Sequence, residues 1–308
     1  MADGSSKVVY AALAGNILVA ATKFVAAAVS GSSAMFTEAI HSSTDCTNQV
    51  LLLIGVRRGK KAPDPSHPFG YGMEIYFWTF VVAMLVLLAG GAYSIYQGVA
   101  QLGAPRPIQS PAFNLIVLAV SALFEGGSFL VGYREYKKVA RRHRIPGVTV
   151  GLVRFISWSK DPSLFETLLE DSAALAGIAI AAVGTVANVW LGYLPADGFA
   201  SLAIGTILIV NGIAILVATQ SLVAGEAAAP TVLHDLRAGL HGQPWSDRIL
   251  VVSTLHLGPN CILVAVGLRE SGGELTDRTL GREIEQRLKA IDSRILEVLF
   301  RFEGGGRA

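Results

Sequence analysis

Six apolar stretches, each long enough to cross a lipid bilayer, dominate this 308-residue sequence. They run over about Val8–Val29, Ser33–Val56, Ile75–Gly98, Pro111–Tyr133, Ser163–Val189 and Phe199–Val223, and a spanning helix needs about 20 such residues. Lipid offers no partners to open backbone amides and carbonyls, so the stretches are predicted to be helices. Composition agrees: 52% of residues are hydrophobic and 16% are charged, against roughly a quarter charged in a soluble domain. That balance excludes a disordered chain, a coiled coil and a disulfide scaffold. Cys46 and Cys261 stand far apart in unlike contexts, so no disulfide is expected. The first stretch is too long for a cleavable signal peptide and lacks a small-residue cleavage site.

Basic residues orient the bundle. The loop after the second stretch carries Arg57, Arg58, Lys60 and Lys61, and the loop after the fourth carries Arg134, Lys137, Lys138, Arg141, Arg142 and Arg144, followed by Arg154 and Lys160. On the opposite side only Arg106 appears. Positive loops stay in the cytoplasm, so both termini are predicted to be cytoplasmic, in a multi-pass protein of the cell (inner) membrane. The Arg134–Arg144 run lies beside a span end, where topology and anionic lipid account for it. No nucleic-acid partner is expected.

Beyond about residue 225 the apolar runs shorten and charges return. Thr231–Leu240 reads as a helix, Arg248–Leu257 and Cys261–Leu268 as strands joined by the turn Gly258-Pro259-Asn260, Leu275–Ile291 as a helix and Ile295–Phe302 as a last strand. The order predicts a small cytoplasmic α+β domain over 226–308, helices on one face of an antiparallel sheet, ending in a disordered Gly304–Gly306 tail. Residues 1–225 form the transmembrane domain.

Ionisable groups inside spans are costly and face cavities or one another. Glu38, His41 and Asp45 stand at i, i+3 and i+7 of the second stretch and share one helix face, which Asn48 extends. The fifth stretch carries Glu166, Glu170 and Asp171, with Thr167 four residues before Asp171. Imidazole with carboxylates suits zinc, iron or manganese better than calcium or magnesium. At 1.5 Å per residue, Glu170 and Asp171 lie about 10–12 Å in from Ser163, at a depth similar to Asp45. The predicted metal ligands are therefore His41, Asp45, Glu170 and Asp171. Glu38, Glu166 and Asn48 are secondary, with Glu166 a gating carboxylate near the mouth. Adjacent residues diverge by about 100° on a helix, so only one of Glu170 and Asp171 is expected to point fully inward. Glu125, alone in its span, reads as structural or secondary. Asn16, Asn188 and Asn211 read as interhelical hydrogen-bonders. Lys23 either snorkels or pairs with an intramembrane acid, and the four Trp and the Tyr residues read as interface anchors.

These residues resemble the cation diffusion facilitators, a family of divalent-metal/proton antiporters. His41 and Asp45 match the family's His/Asp-x-x-x-Asp pair in the second helix. His67-Pro68-Phe69-Gly70-Tyr71-Gly72-Met73-Glu74 closely matches the signature before its third helix, and the plan of six spans with a small cytoplasmic domain covers nearly the whole chain. Asp161-Pro162 followed by Leu169-Glu170-Asp171-Ser172-Ala173-Ala174 is similar to the subgroup with mitochondrial and nuclear-associated zinc-transporter-like members. The fifth helix departs from the family pattern. Aligning Asp171 with the second member of the pair puts Thr167 at the first, and aligning Glu170 puts Glu166 there. Either way the second His is missing, which leaves iron and manganese open beside zinc. The cytoplasmic loop has only His143.

The resemblance implies a homodimer that alternates between inward and outward access and exports cytoplasmic metal in exchange for protons, with no resident cofactor and no enzymatic activity. It also implies a ferredoxin-like fold for the C-terminal domain, where His234, His241, His256 and Cys261 are the possible regulatory metal ligands. Surface histidines and a buried strand cysteine are the competing reading. A second function class is an intramembrane metal-dependent hydrolase built on His41, Asp45 and Glu170, but no His-Glu-x-x-His or comparable signature supports it. A metal sensor or chaperone would leave six helices unexplained.

Overall fold

The computed structural model describes residues 2–142, 160, 162–270 and 274–303. His143, Arg144, Arg154, Trp158, Asp161 and the Gly304–Gly306 tail lie outside the described residues. The helices are α1 (Ala2–Ser30), α2 (Ser33–Gly59), α3 (Glu74–Leu85), a π-helical segment (Val86–Ala92), α4 (Tyr93–Gly103), α5 (Pro111–Arg142), α6 (Pro162–Trp190) and α7 (Ala196–Ala224). The C-terminal part follows as α8 (Pro230–Leu240), a 3-10 turn (Ser246–Arg248), β1 (Ile249–Gly258), β2 (Cys261–Arg269), α9 (Glu274–Ile291) and β3 (Ile295–Glu303).

Among the described residues, five spans are long and apolar enough to cross a membrane: Leu13–Ser30, Glu74–Gly103, Pro111–Lys138, Phe165–Trp190 and Ala196–Ala224. The sixth expected span, α2, is 27 residues long but is interrupted by its own polar stripe. The polar side chains feed back into the helix, since Thr44 and Thr47 hydroxyls donate to the carbonyls of Ile40 and Ser43, each at 3.0 Å. The chain divides into two compact units, one of residues 1–54, 78–137 and 163–217 and the other of residues 55–77, 138–162 and 218–308.

The first unit is held by small residues. Gly91 and Gly98 on one side, and Gly198, Gly205 and Gly212 on α7, recur at intervals of seven and let α4 and the π segment lie directly on α7. A Cβ on Gly98 would come within 2.9 Å of Leu202 N, and one on Gly205 within 2.9 Å of Ile95 N. Without a water-driven force between helices in lipid, such backbone approach supplies the packing. Ala26, Ala34, Met35, Leu118, Ile178, Ile204 and Leu208 fill the surrounding core.

Asp197, in the first turn of α7 and fully buried, closes the start of α2. Its carboxylate accepts from Ser33 N at 2.6 Å, Ser33 Oγ at 2.8 Å, Ser32 Oγ at 2.5 Å and Ala34 N at 3.3 Å. A helix leaves its first amides unpaired, and here an acid 164 residues away satisfies them. Ser201 and Thr37 continue the contact, with Ser201 Oγ donating to Ser33 Oγ at 2.9 Å and lying 3.3 Å from Thr37 Oγ1. Asn188 makes ties, though to loop backbone rather than to another helix: it accepts from Ile108 N and donates to Arg106 O and Leu194 O. Asn211 does not, because neither atom of its buried amide has a partner among the described residues.

In the second unit the sheet order is β1-β2-β3. β1 and β2 pair antiparallel through a short turn, but β2 and β3 pair parallel, which corrects the expected antiparallel sheet. The reason is α9. It carries the chain back along the sheet, so the next strand starts from the same end as β2. Ile262, Val264, Val266 and Leu268 of β2 pack with Val232, Leu236 and Leu240 of α8 and Ile284 and Leu288 of α9 in one core. This is a small α+β domain of the ferredoxin-like kind. Trp245 packs on that core and donates to Glu283 at 2.9 Å, so it is not a membrane-interface anchor. Trp190 and Tyr193 are exposed at the end of α6, as such anchors would be.

The segment Asp64–Met73 belongs to this second unit and is ordered by its own polar contacts. Tyr71 Oη donates to Asp64 Oδ2 at 2.6 Å, and the Ser66 and His67 amides donate to Asp64 Oδ1 at 3.0 and 2.9 Å. These donors hold the Asp64 carboxyl well below the usual carboxylate range, the Tyr71 hydroxyl contributing most. The Tyr71 ring stacks on His67 at 3.9 Å, with Lys61 Nζ 4.4 Å from its centroid. Gly72 lies against the end of β1, where a Cβ would come within 2.3 Å of Leu257 O. Lys160, one of the basic residues that orient the bundle, is buried and ion-paired with Glu226.

Candidate metal centre

The stripe on α2 is enclosed. Glu38, His41 and Asn48 are at most 1% exposed, and Asp45 is 16% exposed. His41 Nδ1 stands 3.4 Å from Asp45 Oδ1, without hydrogen-bond geometry, and neither ring nitrogen has a hydrogen-bond partner among the described residues. From α6, Glu170 accepts from Asn48 Nδ2 and Asp171 is hydrogen-bonded by Ser128 of α5. The two acids are thus reached from neighbouring helices.

A cavity of about 280 Å³ lies between α1, α2, α5 and α6. Ser42, Asp45, Glu125, Ser128, Glu170 and Asp171 supply polar wall, with Asn16 of α1 and Gln49 of α2. Both Glu170 and Asp171 reach the wall. Glu125 reaches it too, although it read as structural or secondary. The signal that could have promoted Glu125 was its position: an acid in the middle of a span needs a polar neighbour.

His41, Glu38 and Glu166 do not line this cavity. Glu166 was expected near the mouth, yet it is fully buried and both carboxylate oxygens lack a partner among the described residues. Glu38 faces away, its Oε2 on Lys23 Nζ at 3.0 Å and its Oε1 against Gly177, where a Cβ would come within 2.2 Å. Among the described residues no three His, Cys, Asp or Glu side chains converge on one metal-sized point.

The candidate ligands of the C-terminal domain are dispersed. His234 and His241 are exposed, and α8 ends at Leu240, with His241 already extended. His256 is buried on β1 with Nδ1 3.1 Å from Gly258 O, and burial holds its imidazole below the usual histidine range. Cys261 is a free, half-buried thiol at the start of β2 whose pKa burial raises.

An acid-lined cavity within a bundle of apolar helices is a place where a cation can be held inside a membrane. The chain belongs to the cation diffusion facilitator family: the family model for the cation efflux transmembrane domain matches residues 9–222. Within the family it stands near the SLC30A9-like subgroup. It is 34% identical to the human "Proton-coupled zinc antiporter SLC30A9, mitochondrial" over 256 residues, 83% of this chain and 44% of that protein. It is 34% identical to "Metal tolerance protein C4" of Arabidopsis thaliana over 66% of this chain and 44% of the relative. The chain thus spans less than half the length of these curated relatives. "Manganese efflux system protein MneP" of Bacillus subtilis is 21% identical over 96% of this chain and 94% of its own length. The matched domain is a transmembrane one, and the chain is an integral, multi-pass membrane protein. The human and Bacillus subtilis relatives are named as an antiporter and an efflux protein, names that lend the hydrolase alternative no support.

Proposed function

We propose that this protein exports zinc from the cytoplasm in exchange for protons by alternating access, with Asp45, His41, Glu170 and Asp171 as the transport ligands. The observation that carries the reading is the cavity whose wall joins Asp45 of α2 to Glu170 and Asp171 of α6. Carboxylates drawn from two helices can be brought onto one ion by small rotations of their side chains. Metal binding requires these groups and His41 deprotonated, so cargo release and proton uptake at the same atoms are linked. His41 is the proton carrier in this reading, because imidazole is the side chain that both binds a transition metal and exchanges protons. The name of the human relative supports zinc. The oxygen-rich donor set, lacking a second His, admits iron or manganese as competitors, and the Bacillus subtilis relative is named for manganese. The basic residues at the ends of α2 and α5 support cytoplasmic termini, in what we read as a protein of the cell (inner) membrane. The working form is a homodimer, with 226–308 as its cytoplasmic domain.

In proteoliposomes carrying a pH gradient, zinc uptake should collapse with the gradient, and manganese, iron and cadmium in parallel rank the cargo. Asp45→Ala should abolish proton-driven uptake into inside-out vesicles. Unchanged uptake by this variant would overturn the site assignment.

A further inference from the structure

Lys23 stands seven residues before the end of α1, about 10 Å into the helix at 1.5 Å per residue. Its side chain is fully buried, so it does not snorkel. An ammonium ion at this depth is tolerated only with partners, and two are present: Nζ donates to Glu38 Oε2 at 3.0 Å and to Ser42 Oγ at 2.8 Å. Ser42 also lines the acid-walled cavity, so Lys23 sits one hydroxyl away from the space through which we route the cargo.

Glu38 is the other half of the arrangement. It shares the helix face of His41 and Asp45 and is the acid on that face outside the cavity wall. Lys23 holds one of its oxygens, and the other lies against Gly177, the bare position on α6 that leaves room for the carboxylate. A larger residue at 177 would drive Glu38 out, and loss of Lys23 would leave its charge uncompensated.

The geometry points to Lys23 as a specificity-determining residue: a resident cation that neutralises Glu38, keeps it out of the metal's donor set and so limits how tightly the site holds a divalent cation. This rests on the reading that the cavity carries the metal. A transporter must release what it binds, and each further carboxylate facing a divalent ion strengthens its hold. With Lys23 in place, the metal meets Asp45, Glu170 and Asp171 while Glu38 is already paired. With Lys23 removed, Glu38 is left a buried, uncompensated carboxylate on the helix face of Asp45, and the cargo becomes the cation that can compensate it.

The two halves of the pair therefore make opposite predictions. In zinc uptake by proteoliposomes, Lys23→Met should lower K0.5 and the maximal rate, each on the order of tenfold. Glu38→Gln leaves the ammonium unpaired beside the cavity and should raise K0.5 by a similar factor. The double variant Lys23→Met/Glu38→Gln removes both charges and should return K0.5 close to the parent. Lys23→Gln keeps hydrogen-bond donors for Glu38 and Ser42 without the charge, and should lower K0.5 like Lys23→Met even if the methionine variant fails to fold. A purely structural ion pair would give singles that shift together, in folded yield, with K0.5 unmoved. Singles that leave K0.5 unchanged or move it in the same direction overturn the proposal. Failure of the transport reading is separately visible, as zinc uptake by the parent protein that is absent or survives Asp45→Ala.

Discussion

Asn48 offers the sharpest test of how the site holds its shape. Its amide Nδ2 donates to Glu170 Oε1 across the α2–α6 gap, in a position sealed from solvent. Replacing it with leucine keeps the volume and removes the donor. A hydrogen bond to a charged group is worth about 1.5–3 kcal/mol, which corresponds to roughly 10- to 150-fold in an equilibrium constant. Removing a partner that orients a metal ligand similarly costs about 10- to 100-fold in affinity. Asn48→Leu should therefore raise the K0.5 for zinc by one to two orders of magnitude in proteoliposomes driven by an imposed pH gradient. Thermal stability in detergent should hold or rise, because an amide whose Oδ1 has no partner among the described residues gives way to an apolar side chain. Asn48→Asp reverses the electrostatics, setting a second carboxylate beside Glu170. It should make zinc binding more strongly pH-dependent, since a proton must leave the pair before metal enters. An unchanged K0.5 in Asn48→Leu, with normal folding, would refute the argument that Asn48 positions Glu170.

Two further outcomes concern the second unit. Gly72→Ala puts a Cβ 2.3 Å from Leu257 O, so Asp64–Met73 or the end of β1 must shift. Overpacking of this kind costs about 1–3 kcal/mol, read as a lower melting temperature and faster proteolysis of that segment; an unaltered melt would show the contact to be dispensable. His256 is held below the ordinary histidine range chiefly by burial, so the unfolded chain binds more protons than the folded one below about pH 6.5. Stability should be intact above that pH and fall as acidification proceeds toward the lowered folded value. His256→Gln should flatten the profile between pH 7.5 and 5.5, whereas parallel melting curves would contradict the assignment.

The spans were legible because lipid leaves the backbone one choice, and their continuation was not. α5 runs on from Tyr133 to Arg142 because lysine and arginine form helices well once outside the hydrocarbon, and apolarity marks only where lipid ends. The stripe on α2 was legible from spacing alone. Which of its members face the cavity was not, since that depends on neighbours: Lys23 draws Glu38 aside, while Asn48 and Ser128 hold Glu170 and Asp171. Glu166 read as shallow by counting residues, but depth along a helix does not measure enclosure. The direction of β3 escaped the alternation of its side chains, which is the same in parallel and antiparallel strands. Asp197 carried no signal either. An acid at the start of a helix ordinarily serves that helix, and nothing local ties it to the amides of α2.

The glycine seam between α4 and α7 sets a mechanical condition on transport. Two surfaces with bare backbone at intervals of seven fit in one register. A slip of a single residue would set Leu202 or Ile209 onto main chain where glycine now lies. Sliding is therefore blocked, and so is separation, because lipid tails cannot fill a gap that narrow. If the proposed transport moves these helices, α4 and α7 travel as a single stave, and the rearrangement falls to the helices that wall the cavity, α1, α2, α5 and α6.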